Sequence, residues 1–289
     1  MGWLLKVKVY LIAILIKMRF VILETHKFFF MKKAIYGCLL SAPLFVLSFC
    51  SSSSGKDATQ FSKETRLKPS NATSRHVAVL ELFTSQGCSS CPPADKLISN
   101  YISKENIVVL SFHVDYWNRL GWRDPFSSQE YSQRQENYSK FLKAGVYTPQ
   151  LVINGQTEMI GSDESKISNT LKMVQAEPRV AELSIKKLTF ANGTININFI
   201  ASGNDAGAVL NIALVEKKIT TDIKAGENSG VQLTNYNVVR NFKTISQLRN
   251  GSNTSDINIP PGIDANNISV VLFIQNKDNG ISAATEAGL

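Results

Sequence analysis

Beyond residue 50 the chain holds two cysteines, Cys88 and Cys91, placed where an apolar run gives way to a helical one. The run before them, HVAVLELF at residues 76–83, is of strand length and dense in Val and Leu, as a buried central strand requires. TSQGC then turns the chain. Residues 90–100 follow with Ala94, Leu97, Ile98 and Tyr101 at helical spacings. Two cysteines three apart at a helix start bring their sulfurs within reach of each other, and the free N–H groups there favour a thiolate.

The next segments extend the pattern. NIVVLSFHV at 106–114 reads as a second buried strand, and 127–142 as an amphipathic helix stopped by Gly145. Thr148-Pro149 opens a strand at 150–153. Asn154-Gly155 is a two-residue hairpin signal leading to 157–160, and a helix is predicted over 162–175. The order is strand, helix, strand, helix, strand, strand, helix. With Cys-X-X-Cys at the first strand–helix junction and a proline opening the third strand, it predicts an α/β thioredoxin-like domain over residues 76–178. After Pro178 come short alternating runs broken by Asn-Gly at 192–193 and 250–251 and by Pro-Pro-Gly at 260–262. Strands without helices predict a small all-β domain, an antiparallel sandwich, over 179–289.

GCSSCPPAD, SFHVDYW and YTPQLVING resemble an exported thioredoxin-like family known only as a domain of unknown function (domain of unknown function 1223), and GENSGVQLTNYNVVRNF resembles its C-terminal part. The resemblance covers nearly everything from His76 onward. It implies a fold and a redox site and names no substrate. It also implies that Pro149 faces the cysteine pair and that the Thr148 backbone pairs with an extended substrate segment. Relatives with this fold carry a buried acid on the first strand; Glu81 is the nearest counterpart, offset by one residue.

Thiol–disulfide exchange needs an attacking thiolate and a second thiol to resolve the mixed disulfide. Cys88, before the helix, is expected to be the exposed nucleophile and Cys91, followed by Pro92, the more buried resolving thiol. Ser89 and Ser90 between them bring no cation, which leaves the direction of transfer open. Glu81 in an apolar run is either a partnered proton relay under Cys91 or a solvated strand-end charge. His113 and Asp115 share a strand face by alternation and are candidates for a His–carboxylate pair tuning Cys88. The alternative is that His113 bonds within its loop, with Trp117 and Trp122 packing its base. Arg134, on a helix whose polar residues read as a solvated face, is a remote source of a cation for the thiolate.

The leader carries most of the positive charge. The formal charge is +8, but residues 1–50 hold seven of the 31 Lys+Arg and one of the 23 Asp+Glu, leaving +2 on the rest. Nucleic acid is therefore not an expected partner. MKKAIYGCLLSAPLFVLSFC at 31–50 has a basic start and an apolar stretch too short to span a bilayer, then Cys50 and four serines. That pattern predicts a lipoprotein-type signal with Cys50 as the lipid anchor, although Leu47-Ser48-Phe49 departs from the usual small residue before the cysteine. Residues 1–30 read as an upstream extension through a mis-placed start, and 51–75 as a flexible tether. The expected location is the periplasm or cell envelope, attached to a membrane.

The leading functional reading is an exported thiol–disulfide oxidoreductase acting on protein thiols or disulfides with an unidentified redox partner and no cofactor. One alternative is copper handling, since Cys88, Cys91 and His113 make a soft ligand set for Cu(I). Another is a binding module with a static disulfide. A Cys-only zinc or iron–sulfur site is excluded after the leader, because the other cysteines, Cys38 and Cys50, lie within it.

Overall fold

β2 (Ala78–Thr84) and β3 (Ile107–His113) are buried at every residue and run parallel, Ala78 beside Ile107 through to Thr84 beside His113. β4 (Gln150–Ile153) pairs antiparallel with β2 and with β5 (Thr157–Ile160). Asn154 and Gly155 between them both have positive φ, 48° and 67°, as the tight hairpin turn demands. Two helices connect these strands, α1 (Pro92–Ser99) and α2 (Gln129–Leu142), and a third, α3 (Glu164–Ala176), follows β5. The computed structural model describes residues 63–65, 77–178, 180–203 and 206–289. The expectations for residues 1–30, the signal at 31–50 and its Cys50 anchor lie outside the described residues. Within the stretch read as a tether, Lys63–Thr65 forms β1.

The second half of the chain supplies β6 (Glu182–Ala191), β7 (Thr194–Ser202), β8 (Val209–Asp222), β9 (Gln232–Ile245), β10 (Gly251–Asn258), β11 (Ile268–Gln275) and β12 (Ile281–Gly288). Here the expected fold class is overturned. The chain is not an α/β thioredoxin-like domain followed by a separate antiparallel sandwich. Among the described residues it is mostly β, twelve strands against three α-helices. Strands from both halves share one mixed eight-stranded sheet, in the order β12-β11-β8-β9-β3-β2-β4-β5. The join is a parallel contact of β3 with β9 at Ser111 and Val238, reinforced by Ser111 Oγ donating to the Tyr236 carbonyl at 2.8 Å and Asn237 Nδ2 donating to the Val109 carbonyl at 3.1 Å. Apolar patterning reports which faces of a strand are buried, but not which strand lies beside it. A β3 buried on both faces therefore fitted either arrangement.

Alternation sorts the side chains into three cores. Ala78, Leu80 and Leu82 face α1 and α3, meeting Ala94, Ile98, Ile167 and Leu171. Val79 and Phe83 face the opposite way, toward Tyr131 and Tyr138 of α2, in a core that also takes Ala213, Val239 and Phe273. The residues of β8 and β11 that face away from this second core, such as Ile212 and Leu272, pack against the four-stranded sheet β1-β6-β7-β10 through Leu183, Ile197 and Phe199. The described residues belong to a compact unit, Ala58–Leu289. Among them no helix is long and apolar enough to cross a membrane.

Candidate functional site

β2 ends at Thr84, and the chain turns through Ser85, Gln86 and Gly87 into Cys88. Cys88 N–H donates to the Ser85 carbonyl at 3.1 Å, and Cys91 N–H to the Cys88 carbonyl at 3.3 Å. Pro92 and Pro93 occupy the first turn of α1, where a missing N–H costs nothing, so the helix starts immediately after Cys91. Cys88 and Cys91 are joined as a disulfide with Cα atoms 5.4 Å apart. Ser89 and Ser90 between them are exposed, but both cysteines are fully buried.

Three other segments hold this turn. Ser90 Oγ lies 3.3 Å from Cys88 Sγ and donates to the Thr148 carbonyl at 3.4 Å. The Thr148–Pro149 peptide is cis, and Thr148 Oγ1 accepts from Trp117 Nε1 at 2.8 Å. From the loop between β8 and β9, Asn228 Nδ2 donates to the carbonyls of Gln86 and Cys88, at 2.8 and 3.0 Å. From β9, Asn235 Oδ1 accepts from Gln86 Nε2 at 3.0 Å, while Gln86 Oε1 accepts from Trp122 Nε1 at 3.2 Å.

A buried polar cluster is bonded to the cysteine-bearing turn. Asp95 sits one helical turn beyond Cys91; its N–H donates to the Cys91 carbonyl at 3.1 Å, and its Oδ2 accepts from Thr84 Oγ1 at 3.2 Å. His113, opposite Thr84 in the β2–β3 register, bonds Asp124 Oδ2 through Nδ1 at 2.7 Å. The same Oδ2 accepts from Gln86 N–H at 2.8 Å, so one carboxylate links the imidazole to the cysteine-bearing turn. His113 Nε2 is buried with no hydrogen-bond partner.

The family model described as "Protein of unknown function (DUF1223)" matches residues 79–275. The chain belongs to that family. The matched span runs across residue 178, taking in both the cysteine turn and β9. Among solved structures, the chain is similar to the crystal structure of a protein from Agrobacterium tumefaciens, a structural-genomics target. The two are 30% identical with a TM-score of 0.58, over 75% of this chain and 96% of that one. An endonuclease/exonuclease/phosphatase from Beutenbergia cavernae overlaps 36% of this chain and 22% of its own, at 16% identity. Its TM-score of 0.20 bears on neither fold nor function. No curated protein matches the chain.

Burial and charge set the protonation of the cluster in this DUF1223 chain. Loss of hydration pushes the Asp95 carboxyl up to about 6, against the opposing pull of His113 and Thr84. Burial acts on His113 in the lowering sense, but the charge and hydrogen bond of Asp124, with Asp95 beyond, outweigh it, and the net shift is upward. For Asp124, burial pushes up, while His113 and the N–H groups of Gln86 and Phe126 pull harder and leave it below its ordinary value. The contact between His113 and Asp124 thus favours the charged form of each, beside an Asp95 that burial holds toward its neutral form.

The residues named from sequence divide between this site and its surroundings. Cys88, Cys91, Thr148, Pro149 and His113 lie at the turn or in the cluster around it. Glu81 does not. Alternation puts it with Val79 and Phe83 on the α2 face of the sheet, away from α1. There Arg134 and Tyr138 bind its carboxylate. Arg134 is therefore committed to Glu81 and is not a cation at the thiolate. Asp115 is not the partner of His113, because β3 ends at His113 and strand alternation stops there. Asp115 bonds Ser132 instead. Cys88 is not the exposed member of the pair, since Asn228 and Trp117 close on its turn. Among the described residues no three His, Cys, Asp or Glu side chains are arranged to hold a metal ion, and Cys88, Cys91 and His113 are not so arranged. Asp95, Asp124, Asn228 and Asn235 were missed. A signal existed for Asp95, which follows Cys91 by four residues and so shares its helix face.

Proposed function

We propose that this chain is an exported thiol–disulfide oxidoreductase that exchanges dithiol and disulfide with protein substrates at Cys88 and Cys91. The observation that carries the reading is a disulfide at the start of α1, with a buried acid, Asp95, one turn behind the inner cysteine. A helix start lowers the energy of a thiolate, and a buried carboxyl near neutrality can move its proton. Export, and attachment through Cys50, belong to the same proposal and rest on the sequence of residues 31–50.

In the oxidising direction, a substrate thiolate attacks Cys88 Sγ. The Cys88–Cys91 bond breaks, and Cys91 leaves with the electron pair and takes a proton from Asp95. A second substrate thiolate then attacks its partner sulfur in the mixed disulfide, releasing Cys88 as a thiolate. The substrate dithiol is oxidised, the protein pair is reduced, and Asp95 regains a proton from solvent. Run backward, the same steps reduce a substrate disulfide. Because Cys88 is buried, its turn must shift for the attack to occur. Equilibration of the pair with glutathione buffers, with Cys88→Ser as control, tests the proposal.

A further inference from the structure

We propose that the loop between β8 and β9 governs the reactivity of Cys88: Asn228 fixes the turn that carries it, and the Glu227 carboxylate opposes its thiolate. This rests on the thiol-exchange reading and adds to it a control supplied by the second half of the chain.

β8 and β9 form a long hairpin whose tip reaches back to the cysteine turn, 138 to 142 residues distant in sequence. The tip is well tied. Ile223 N–H donates to the Val231 carbonyl and Gly230 N–H to the Ile223 carbonyl, both at 2.9 Å. At Gly226, φ is 76° and a Cβ would lie 3.1 Å from Trp122 Cβ, so glycine allows the tip to pack against the loop that holds Asp124. Buried Asn228 then bonds two carbonyls of the turn, one of them that of Cys88 itself.

Glu227, exposed beside it, accepts the Ser89 N–H at 3.2 Å. That N–H is the backbone donor next in sequence after Cys88, in the turn just before α1, where a free donor would favour a thiolate. Here it is given to a carboxylate, which also sets a negative charge on the turn that carries Cys88. Both effects act against the thiolate. Among the described residues, the charged groups bonded into the turn and the cluster beside it include Asp95 from α1, His113 from the end of β3 and Asp124 from the loop after it, all buried. The segment carrying Pro149 presents the Thr148 carbonyl. Glu227 is the solvent-facing charge of the set, and a substrate docking at Ser89 and Ser90 would meet it directly.

The test is alkylation of the reduced full chain by iodoacetamide from about pH 5 to about pH 9, followed at Cys88 by peptide mass spectrometry. Glu227→Gln keeps an acceptor for the Ser89 N–H and removes only the charge. Its Cys88 should react about two- to five-fold faster near neutrality, the rate curve moving to lower pH. Asp222→Asn, on the same hairpin and away from the turn, should match the parent. A Glu227→Gln curve that coincides with the parent's overturns the inference and leaves the exchange reading standing. Failure of Cys88 to react in either protein overturns both.

Discussion

The Arg134 guanidinium grips the Glu81 carboxylate with two hydrogen bonds, Nε to Oε2 at 2.6 Å and Nη2 to Oε1 at 3.0 Å. The carboxylate is fully buried, Tyr138 adds a third bond at 2.5 Å, and Phe112, Tyr138, Phe242 and Phe273 surround the cation at 5.0 to 5.6 Å. Breaking a buried pair from one side leaves a charge without compensation. Glu81→Gln should therefore lower unfolding stability by about 3 kcal/mol in urea titrations. Alkylation at Cys88 should be unchanged, since the pair lies on the other face of the sheet. A change in Cys88 reactivity at unchanged stability would return Glu81 to the redox site.

Asp95 supplies a pH dependence of defined sign. Its folded pKa, about 6, lies above the ordinary 3.8, so folding favours its protonated form. That contribution is complete below pH 3.8 and is lost as pH rises through about 6. His113 is also raised, so its contribution holds below 6.5 and fades as pH climbs through its folded value. Asp124 is lowered, and its contribution is present above 3.8 and lost on further acidification. Stability should peak in mildly acidic solution and decline toward neutrality. Asp95→Asn should remove the part of the decline between about pH 4 and pH 6, making the variant up to about 3 kcal/mol more stable than the parent at neutral pH. Urea titrations across that range measure it, and parallel curves for the two proteins would contradict it.

The same substitution should slow exchange even as it stabilises. Without a carboxyl to donate and accept the Cys91 proton, resolution of a preformed mixed disulfide on Cys88 should be about ten-fold slower or more. Stopped-flow release of a chromophoric thiol reads this step. An unaltered rate would leave Asp95 a purely structural acid.

Gly161, directly after β5, lies against β2, α1 and Pro149. A Cβ there would lie 2.7 Å from Leu82 Cδ1, 3.2 Å from Ala94 Cβ and 3.3 Å from Pro149 Cβ. It would wedge between β2, α1 and the segment that faces Ser90. Gly161→Ala should cost about 1 to 3 kcal/mol and lower the melting temperature by several degrees. An unchanged melting curve would show that the three neighbours can yield.

Much of the local structure was legible in the sequence, because it is written in turns and in side-chain period. Asn154-Gly155 and Asn192-Gly193 both adopt the positive-φ pairs of tight hairpins. The apolar runs at 76–83 and 106–114 became β2 and β3, and the helix starting after Cys91 was set by two prolines. The arrangement of the sheet was not legible. The pairing of β3 with β9 joins residues more than a hundred positions apart, and no periodicity in either strand records its neighbour. β10 and β12 carry little apolar signal, because Ser, Asn, Ala and Thr dominate them. At the site, Cys88, Cys91 and His113 were visible as residue types in suggestive places. Their partners were not, because Asp124, Asn228 and Asn235 reach the turn through loop reversals and a hairpin that only the folded chain defines.

As a working redox couple, Cys88 and Cys91 must cycle between dithiol and disulfide. The most direct test is the reduction potential of the pair in the full chain, from equilibration with glutathione buffers of graded ratio and with Cys88→Ser alongside. A reversible two-electron transition at Cys88–Cys91 is expected, with transfer of electrons to a model disulfide or from a model dithiol, both absent in Cys88→Ser. A pair that stays oxidised at every glutathione ratio and exchanges with no thiol would contradict it, and would make the disulfide a fixed structural link.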